Sequence, residues 1–221
     1  QYDKIDLRTA QNYAWSNGFS NNTFVREVFS RDSQRDMGQP YTRSRYYHLY
    51  LNGMYWGLYQ TQERSEARYA ETYFGGDHED YDVVKVNMEN YTYTIEATDG
   101  TLNQWRQLWN LCGTGFASNS SYFGLEGKDA EGNPLPGAEV LVDIDNLIDY
   151  MILIFYTGNF DAPTSSFGQN KGCNNFYAID NRHDRSTGFT FYNHDAEHSL
   201  FYYAHEPGIG INEDRVNLAE R

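Results

Sequence analysis

The sequence predicts an α+β fold on three observations: two β-hairpins and one long apolar helix that lies between them in the chain. The chain has 221 residues, which is long enough to bury most of its unfolded surface without the help of a metal or a disulfide. This length suits one large domain, so we predict a single domain over residues 1–221.

The first hairpin is predicted over residues 41–64, "YTRSRYYHLYLNGMYWGLYQTQER". Asn52 and Gly53 form a strong two-residue turn signal, because both residue types tolerate positive φ angles. Aromatic and aliphatic residues flank this turn on both sides, as is typical of paired strands. We therefore expect most of this segment to be a core hairpin.

A helix is predicted after the hairpin, over residues 65–76. Ser65 is the expected N-cap, and the glycine pair that begins at Gly75 is the expected end of the helix. The next segment, residues 81–87 with the sequence "YDVVKVN", is predicted to be a short strand that carries Lys85 near its end.

Residues 98–137 have the pattern of a variable insertion, because turn-rich stretches surround one helical segment. Within that segment Trp105, Leu108, Trp109 and Cys112 fall at positions i, i+3, i+4 and i+7. This spacing places the four side chains on one face of a helix.

The longest helix is predicted within residues 143–163, where acidic residues crowd the first turn as the helix dipole favours. The second hairpin follows, with strands at 174–180 and 188–193 joined by a polar turn. The side chains of the long helix expected to face the core are Ile144, Leu147, Ile148, Met151, Ile152 and Phe155.

Composition excludes several classes of function. The formal net charge is −14, so duplex nucleic acid and anionic lipid are disfavoured as partners, whereas divalent cations and basic proteins fit. The longest apolar stretch, at residues 150–156, is far too short for a membrane span. Cys112 and Cys173 could form a disulfide or remain two thiols, and the abundance of Tyr, Asn and Gly favours an exported protein.

Three polar residues stand at the ends of predicted elements: Asp161 after the long helix, Asn175 at the start of one strand, and Asp195 just after the next. If the two strands pair, Asn175 and Asp195 lie near one edge of the hairpin. Kinase-like phosphotransferases use one Asp to orient the acceptor hydroxyl, and an Asn and a second Asp to hold Mg²⁺ against the ATP phosphates.

Charge repulsion also favours a cation near Asp195 and Glu197. Two carboxylates about 4 Å apart repel by roughly 4 kcal/mol at an effective dielectric constant near 20. Water or Mg²⁺ can offset this cost, so Glu197 is predicted as an additional metal ligand. A solvated acidic loop without a ligand explains the same spacing equally well.

Lys85 is a candidate for binding the ATP phosphates, because a strand-borne Lys can reach them when a Glu positions it. Glu63, at the end of the first hairpin, is the predicted partner of Lys85. The alternative is an ordinary surface ion pair, which is worth less than about 1 kcal/mol.

His194 and His198 support a different hypothesis, since an i, i+4 pair on a helix can bind Zn²⁺. The preceding residues alternate as in a strand, and the HExxH order is absent, which argues against this site. The sequence has no GxSxG elbow, Walker A loop or CxxC pair, which excludes several hydrolase, P-loop and redox classes.

Taken together, these segments resemble the spore coat protein H (CotH) kinase family, whose hairpin motif YLNGxYxGLYxxxE matches the first hairpin. "DIDNLIDYMILIFYTGNFD", "NNFYAID" and "FTFYNHDAEHSL" resemble the later blocks of that family in the same order. The resemblance covers about residues 5–202 and implies a divergent protein-kinase-like fold. Relative to that family we expect truncation at both ends, with a late start and without the C-terminal helical part.

The resemblance implies secreted or cell-surface kinases that use ATP and a divalent metal such as Mg²⁺ to phosphorylate Ser or Thr in a protein substrate. It implies Asp161 as the catalytic residue, Asp195 as a metal ligand and Asn175 as the family's Asn before the aromatic strand. The chain has "HDAE" where the family usually has WDLD, so Glu197 replaces an Asp and His194 replaces a Trp.

The sequence therefore predicts an atypical protein kinase. Two other hypotheses remain open. A non-catalytic surface binding module would keep the fold without phosphoryl transfer. A zinc-dependent hydrolase would use the His, Asp and Glu residues at 194–198 and would not need ATP.

Overall fold

A computed structural model describes residues 4–20, 22–89, 92–168 and 172–200, and within these ranges the fold is α+β, as predicted. Two antiparallel sheets and five α-helices form the described part of the chain. Residues 1–3, 21, 90–91, 169–171 and 201–221 of the predicted domain lie outside it. No helix in the described residues has both the length and the apolar character needed to cross a membrane.

The first sheet has three strands in the order β1-β3-β2. The predicted hairpin is confirmed: β2 and β3 pair on either side of Asn52 and Gly53, whose φ angles are 51° and 81°. Both angles are positive, as a tight two-residue turn requires. The strands are β1 (Ile5–Arg8), β2 (Ser44–Leu51) and β3 (Met54–Glu63).

The second sheet has four antiparallel strands in the order β5-β4-β6-β7. The pairing of β6 with β7 confirms the second predicted hairpin, while β5 was not predicted from the sequence. The strands are β4 (Tyr81–Glu89), β5 (Thr92–Asp99), β6 (Phe176–Asn181) and β7 (Thr190–Asn193).

Five helices accompany the sheets: α1 (Arg26–Asp36), α2 (Ala67–Phe74), α3 (Asn103–Thr114), α4 (Asn119–Phe123) and α5 (Ile144–Thr157). The predicted N-cap of α2 was one residue early, because Glu66 and not Ser65 holds that position. Gly75 ends α2 as predicted, with a φ angle of 88°.

The buried face of α5 differs from the prediction. Ile148, Ile152 and Phe155 are exposed, although their spacing suggested core positions. The helix is apolar on nearly all sides, so the sequence pattern does not select a face. The amide of Asn146 fixes the orientation, because its oxygen accepts a 2.6 Å hydrogen bond from the backbone of Phe191 in β7.

The region of the predicted insertion contains α3 and α4, and α3 has one half-buried face. Leu108 is buried and Trp105 packs against the core, whereas Trp109 is exposed. Cys112 is also exposed, and both it and Cys173 are free thiols. The predicted four-residue stripe is therefore only half buried.

Two hydrophobic clusters cover opposite faces of the second sheet. One face packs against α5 and α3 through Val84, Leu108, Tyr150 and Phe189. The other face packs against α2 through Ala70, Val83, Tyr177 and Tyr192, among others. Strands β6 and β7 are thus packed on both faces of the sheet, and the predicted polar residues lie at their ends.

Candidate functional site

The candidate site lies at the end of the β6–β7 hairpin. The last paired residues are Phe176 and Asn193, so Asn175 and Asp195 stand just outside the sheet at the same end. Asn175 has a φ angle of 50° and Asp195 a φ angle of 52°. Asn and Asp adopt this left-handed conformation more readily than other residues with a side chain, so they can turn the chain where the strands end.

Asp161 is buried beside this hairpin end, and its carboxylate is held on both oxygens. The side-chain amide of Asn175 donates a 2.8 Å hydrogen bond to Asp161 Oδ2, and the hydroxyl of Ser165 donates to Oδ1. His198 Nε2 lies 3.7 Å from Oδ2. The structure thus brings two of the predicted site residues, Asp161 and Asn175, into direct contact.

Asp195 forms an ion pair with Arg8, the last residue of β1. The same guanidinium lies 3.8 Å from the carboxylate of Glu197. Both members of the Arg8–Asp195 pair are partly buried, with side-chain exposures of 19% and 24%. A positive charge is therefore already present where the sequence predicted a cation.

Glu197 anchors the loop that follows β1. Its carboxylate accepts hydrogen bonds from the backbone N–H groups of Gln11 at 3.0 Å and Asn12 at 3.3 Å, and from the Asn12 side chain at 2.8 Å. A carboxylate has about four acceptor positions. Most of the capacity of Glu197 is thus used by this loop, which lowers its availability as a metal ligand.

His198 is enclosed by aromatic and polar groups. Its Nδ1 atom lies 2.6 Å from the Tyr13 hydroxyl, its Nε2 atom lies 3.2 Å from the Asn12 amide, and its ring contacts Phe160. Burial lowers the pKa of His198, although the Asp161 and Glu197 carboxylates oppose this shift. The neutral imidazole is therefore favoured at neutral pH.

His194 points to a different environment, against the ring of Tyr177 at 4.9 Å between centroids. Loss of solvent lowers the pKa of His194 to about 3. Among the described residues, the His/Asp/Glu group whose ligand atoms meet within 4.8 Å is Glu71, Asp77 and His78, outside the hairpin end. The predicted pair of His194 and His198 does not share a ligand position.

Lys85 and Glu63 do not form the predicted ion pair. Lys85 Nζ lies 3.1 Å from Glu96 on the neighbouring strand β5. Glu63 instead accepts hydrogen bonds from the Tyr73 hydroxyl at 2.7 Å and the backbone of Arg43 at 2.8 Å. The pairing fails because the two residues belong to different sheets. Lys85 has a partner on the neighbouring strand, and Glu63 has its partners in α2 and just before β2.

Lys85 nevertheless lies on β4 opposite the first residues of β6, close to the hairpin end. It is paired in register with Tyr177, so the two side chains emerge on the same face. Tyr177 in turn contacts His194, the residue before Asp195. Lys85 is thus one strand away from the candidate site.

A small, open cleft with a cavity volume of about 20 Å³ adjoins the site, far less than the volume of a preformed small-molecule pocket. Arg8 and Glu197 line this cleft, and Asp195 and Glu197 together form an acidic cluster beside it. Arg26 adds a second guanidinium, 5.2 Å from the ring centroid of Tyr13. Burial lowers the pKa of Arg26, but the side chain stays cationic at neutral pH because an Arg pKa starts above 12.

Helix α1 holds the segment around Asp195 through a buried ion pair. Glu27 contacts Arg31 at 2.7 Å and also accepts a hydrogen bond from the backbone N–H of Ala196. Arg31 continues the network to Thr42 and, at 3.0 Å, to Gln62 of β3. This network connects the first sheet, α1 and the 195–198 segment.

Several residues of this site were missed in the sequence, above all Arg8, Arg26 and Ser165. Arg8 and Asp195 are separated by 187 positions, so no spacing rule connects them. Ser165 lies in a polar loop where a single hydroxyl carries no signal. Arg8 and Arg26 do not stand out in the sequence either, because the chain has thirteen arginines.

The oxygen donors at the hairpin end fit a hard divalent cation. Asp161 and Asp195 supply carboxylates, and no described residue donates a hydrogen bond to the amide oxygen of Asn175. Mg²⁺ is bound through one or two such carboxylates, with phosphates and water in the remaining positions. The donor chemistry is thus consistent with a metal-assisted phosphate site.

A family model described as "CotH kinase protein" matches residues 2–215, nearly the whole chain. A search of curated proteins gives no match.

Proposed function

The chain belongs to the CotH kinase protein family, and on this premise we propose that it is an atypical protein kinase. It would transfer the γ-phosphoryl group of ATP to a Ser or Thr hydroxyl of a protein substrate. The observation that supports this most is the contact of Asp161 with Asn175 and Ser165, at the hairpin end that also carries Asp195.

Asp161 would orient the acceptor hydroxyl and take its proton. The acceptor oxygen forms a bond to the γ-phosphorus, the bond from that phosphorus to the β–γ bridging oxygen breaks, and ADP leaves. The hydrogen bonds from Asn175 and Ser165 restrain the carboxylate of Asp161 in one orientation, which lowers the entropic cost of the reacting geometry.

Asp195 and Asn175 would hold Mg²⁺, which when bound would neutralise charge on the phosphates. The carboxylate of Glu197 would contribute mainly by fixing the loop after β1, given the hydrogen bonds it accepts there. Preorganised charges of this kind are the main catalytic term in phosphoryl transfer.

The phosphates of ATP would lie in the cleft beside the acidic cluster. Arg8 and Arg26 line this cleft and are suited to phosphate oxygens, because guanidinium groups form bidentate hydrogen bonds. Lys85 would have a supporting role one strand away. Glu63 would stabilise the fold by its hydrogen bonds with Tyr73 and Arg43 and would not position Lys85.

A second candidate is a non-catalytic surface binding module. One observation favours it: the guanidinium of Arg8 neutralises the charge of the Asp195 carboxylate without a metal ion. A module of this kind would keep the network and show no phosphoryl transfer. Secretion or display at a cell surface belongs to the proposal in either case.

The test is phosphate incorporation from γ-labelled ATP with Mg²⁺, into the chain itself and into dephosphorylated casein as a general acceptor. Asp161→Asn should lower the rate by about 100-fold or more while ATP binding persists, as for loss of a general base. Asp32→Asn, a surface change on α1, is the control and should keep the wild-type rate. Wild-type rates in the Asp161 variant would refute the assignment, and no incorporation by any form would favour the binding module.

A further inference from the structure

Arg8 occupies a position between two possible partners. It is paired in register with Gln60, which also lines the cleft, so its side chain emerges on the cleft side of the first sheet. Its guanidinium contacts the Asp195 carboxylate and lies 3.8 Å from Glu197. The same group can therefore reach either the acidic cluster or an anion in the cleft.

The contact with Asp195 uses the carboxylate that the proposed function assigns to the metal. A guanidinium and a divalent cation repel each other, so both cannot occupy the same carboxylate oxygen at full strength. Displaced from Asp195, the partly buried Arg8 would keep only the longer 3.8 Å contact with Glu197, so a further anion beside it would be favourable. Phosphate oxygens in the adjoining cleft are such an anion.

We propose that Arg8 is an exchangeable counter-ion, which neutralises Asp195 when no metal is bound and moves to the nucleotide phosphates when a divalent cation takes its place. This inference rests on the proposed function, because it concerns the same site. Arg26 stays in the cleft throughout and gives the phosphates a second cationic contact.

The exchange couples metal binding to nucleotide binding. Metal alone must displace Arg8 from Asp195 and leave it with only the longer contact to Glu197, so metal alone binds weakly. Metal together with ATP lets the guanidinium exchange one anion for another, so the two ligands bind cooperatively. Coupling between neighbouring sites is usually about 5- to 150-fold in affinity.

The test is isothermal titration of the wild-type chain and Arg8→Gln with Mg²⁺ alone and with ATP in excess Mg²⁺. Removing the competing guanidinium should raise the affinity for Mg²⁺ alone by about 10-fold, while removing the phosphate contact should lower the affinity for ATP with Mg²⁺ by about 10-fold. Arg35→Gln is the matched control, since Arg35 also pairs with two carboxylates but is exposed on α1, and both affinities should stay unchanged.

A higher affinity for Mg²⁺ alone together with a lower affinity for ATP with Mg²⁺ in Arg8→Gln supports the exchange. An unchanged or reduced affinity for Mg²⁺ alone in Arg8→Gln overturns it, because Arg8 would then be a fixed structural partner of Asp195. If Arg8→Gln does not fold, the same two affinities are measured for Arg8→Met, which retains the apolar stem, and the same changes are expected. If the wild-type chain does not bind ATP at all, the proposed function fails, whereas wild-type binding with unchanged variant affinities removes only the role of Arg8.

Discussion

The buried pair of Glu27 and Arg31 should be one of the most sensitive points of the fold. Glu27 is fully enclosed and contacts both Arg31 and the backbone N–H of Ala196. Burial by itself raises the pKa of Glu27, but the cationic Arg31 and Arg8 outweigh it and hold the pKa below its ordinary value. The carboxylate is therefore ionised at neutral pH, and its charge compensates the buried charge of Arg31.

Glu27→Gln leaves the Arg31 charge buried without its counter-ion, and breaking a buried pair in this way costs about 3–5 kcal/mol. That loss is a large fraction of the roughly 5–15 kcal/mol by which a domain is usually stable. Asp32→Asn on the same helix removes an exposed ion pair with Arg35 at 3.0 Å, which should cost less than about 1 kcal/mol. Urea unfolding followed by circular dichroism at pH 7 measures both changes.

Acidification gives an independent check on Glu27. Since the folded-state pKa is depressed, its stabilising contribution is present above the unfolded-state pKa and is lost as the pH falls through the folded-state pKa. The stability gap between wild type and Glu27→Gln should therefore shrink on acidification. A gap below about 1 kcal/mol at pH 7, equal to that of Asp32→Asn, would refute the role given to this pair.

Two further predictions concern stability. Burial raises the pKa of Asp180 to about 6, although the nearby Arg185 opposes this shift. The contribution of Asp180 to stability is therefore fully present below about pH 4 and is lost as the pH rises through about 6. Asp180→Asn should thus gain up to about 3 kcal/mol relative to wild type between pH 4 and pH 7 in urea unfolding, and a constant difference would contradict this. Gly188 has a φ of 69°, and a Cβ there would lie 2.5 Å from the Leu141 carbonyl carbon, so Gly188→Ala should cost at least about 2 kcal/mol. Gly113→Ala, in an open position of α3, should instead be neutral or stabilising by about 0.5–1 kcal/mol in the same assay, and equal losses in the two variants would argue against the clash.

Local signals predicted the elements that depend on local chemistry. The turn at Asn52 and Gly53 fixed the first hairpin, because the positive φ angles it needs suit these residue types. Acidic residues were predicted at the start of the long helix, and there the Asp143 carboxylate accepts a 2.9 Å hydrogen bond from the backbone N–H of Asn146; Gly158, in the left-handed region, follows the last residue of α5. These boundaries follow from hydrogen bonds and backbone sterics within a few residues.

Features that depend on tertiary packing were not predictable in this way. The buried face of α5 is set by the contact of Asn146 with β7, because apolar residues surround the helix and leave periodicity without a preferred direction. Strand β5 was missed for a similar reason, since it forms by pairing with β4 along a mixed polar sequence.

In the candidate site, too, the contacts between nearby residues were predictable and those between distant residues were not. Asp161 and Asn175 are 14 residues apart and end neighbouring elements, so their contact could be anticipated from the order of helix and hairpin. The partner of Asp195 could not be, because Arg8 reaches it from the first sheet across 187 positions. Electrostatic partners at such separations are determined by the assembled fold rather than by any local pattern.

The central claim, that the hairpin end binds nucleotide together with a divalent cation, is tested most directly by thermal unfolding with ATP, with Mg²⁺ and with both. At about 100 times its dissociation constant a ligand stabilises a fold by about 2.7 kcal/mol, which is an easily measured rise in Tm. We expect this rise for the wild-type chain when ATP and Mg²⁺ are present together, and its loss in Asp195→Ala. No rise in the wild-type chain, or an equal rise in the variant, would contradict the claim.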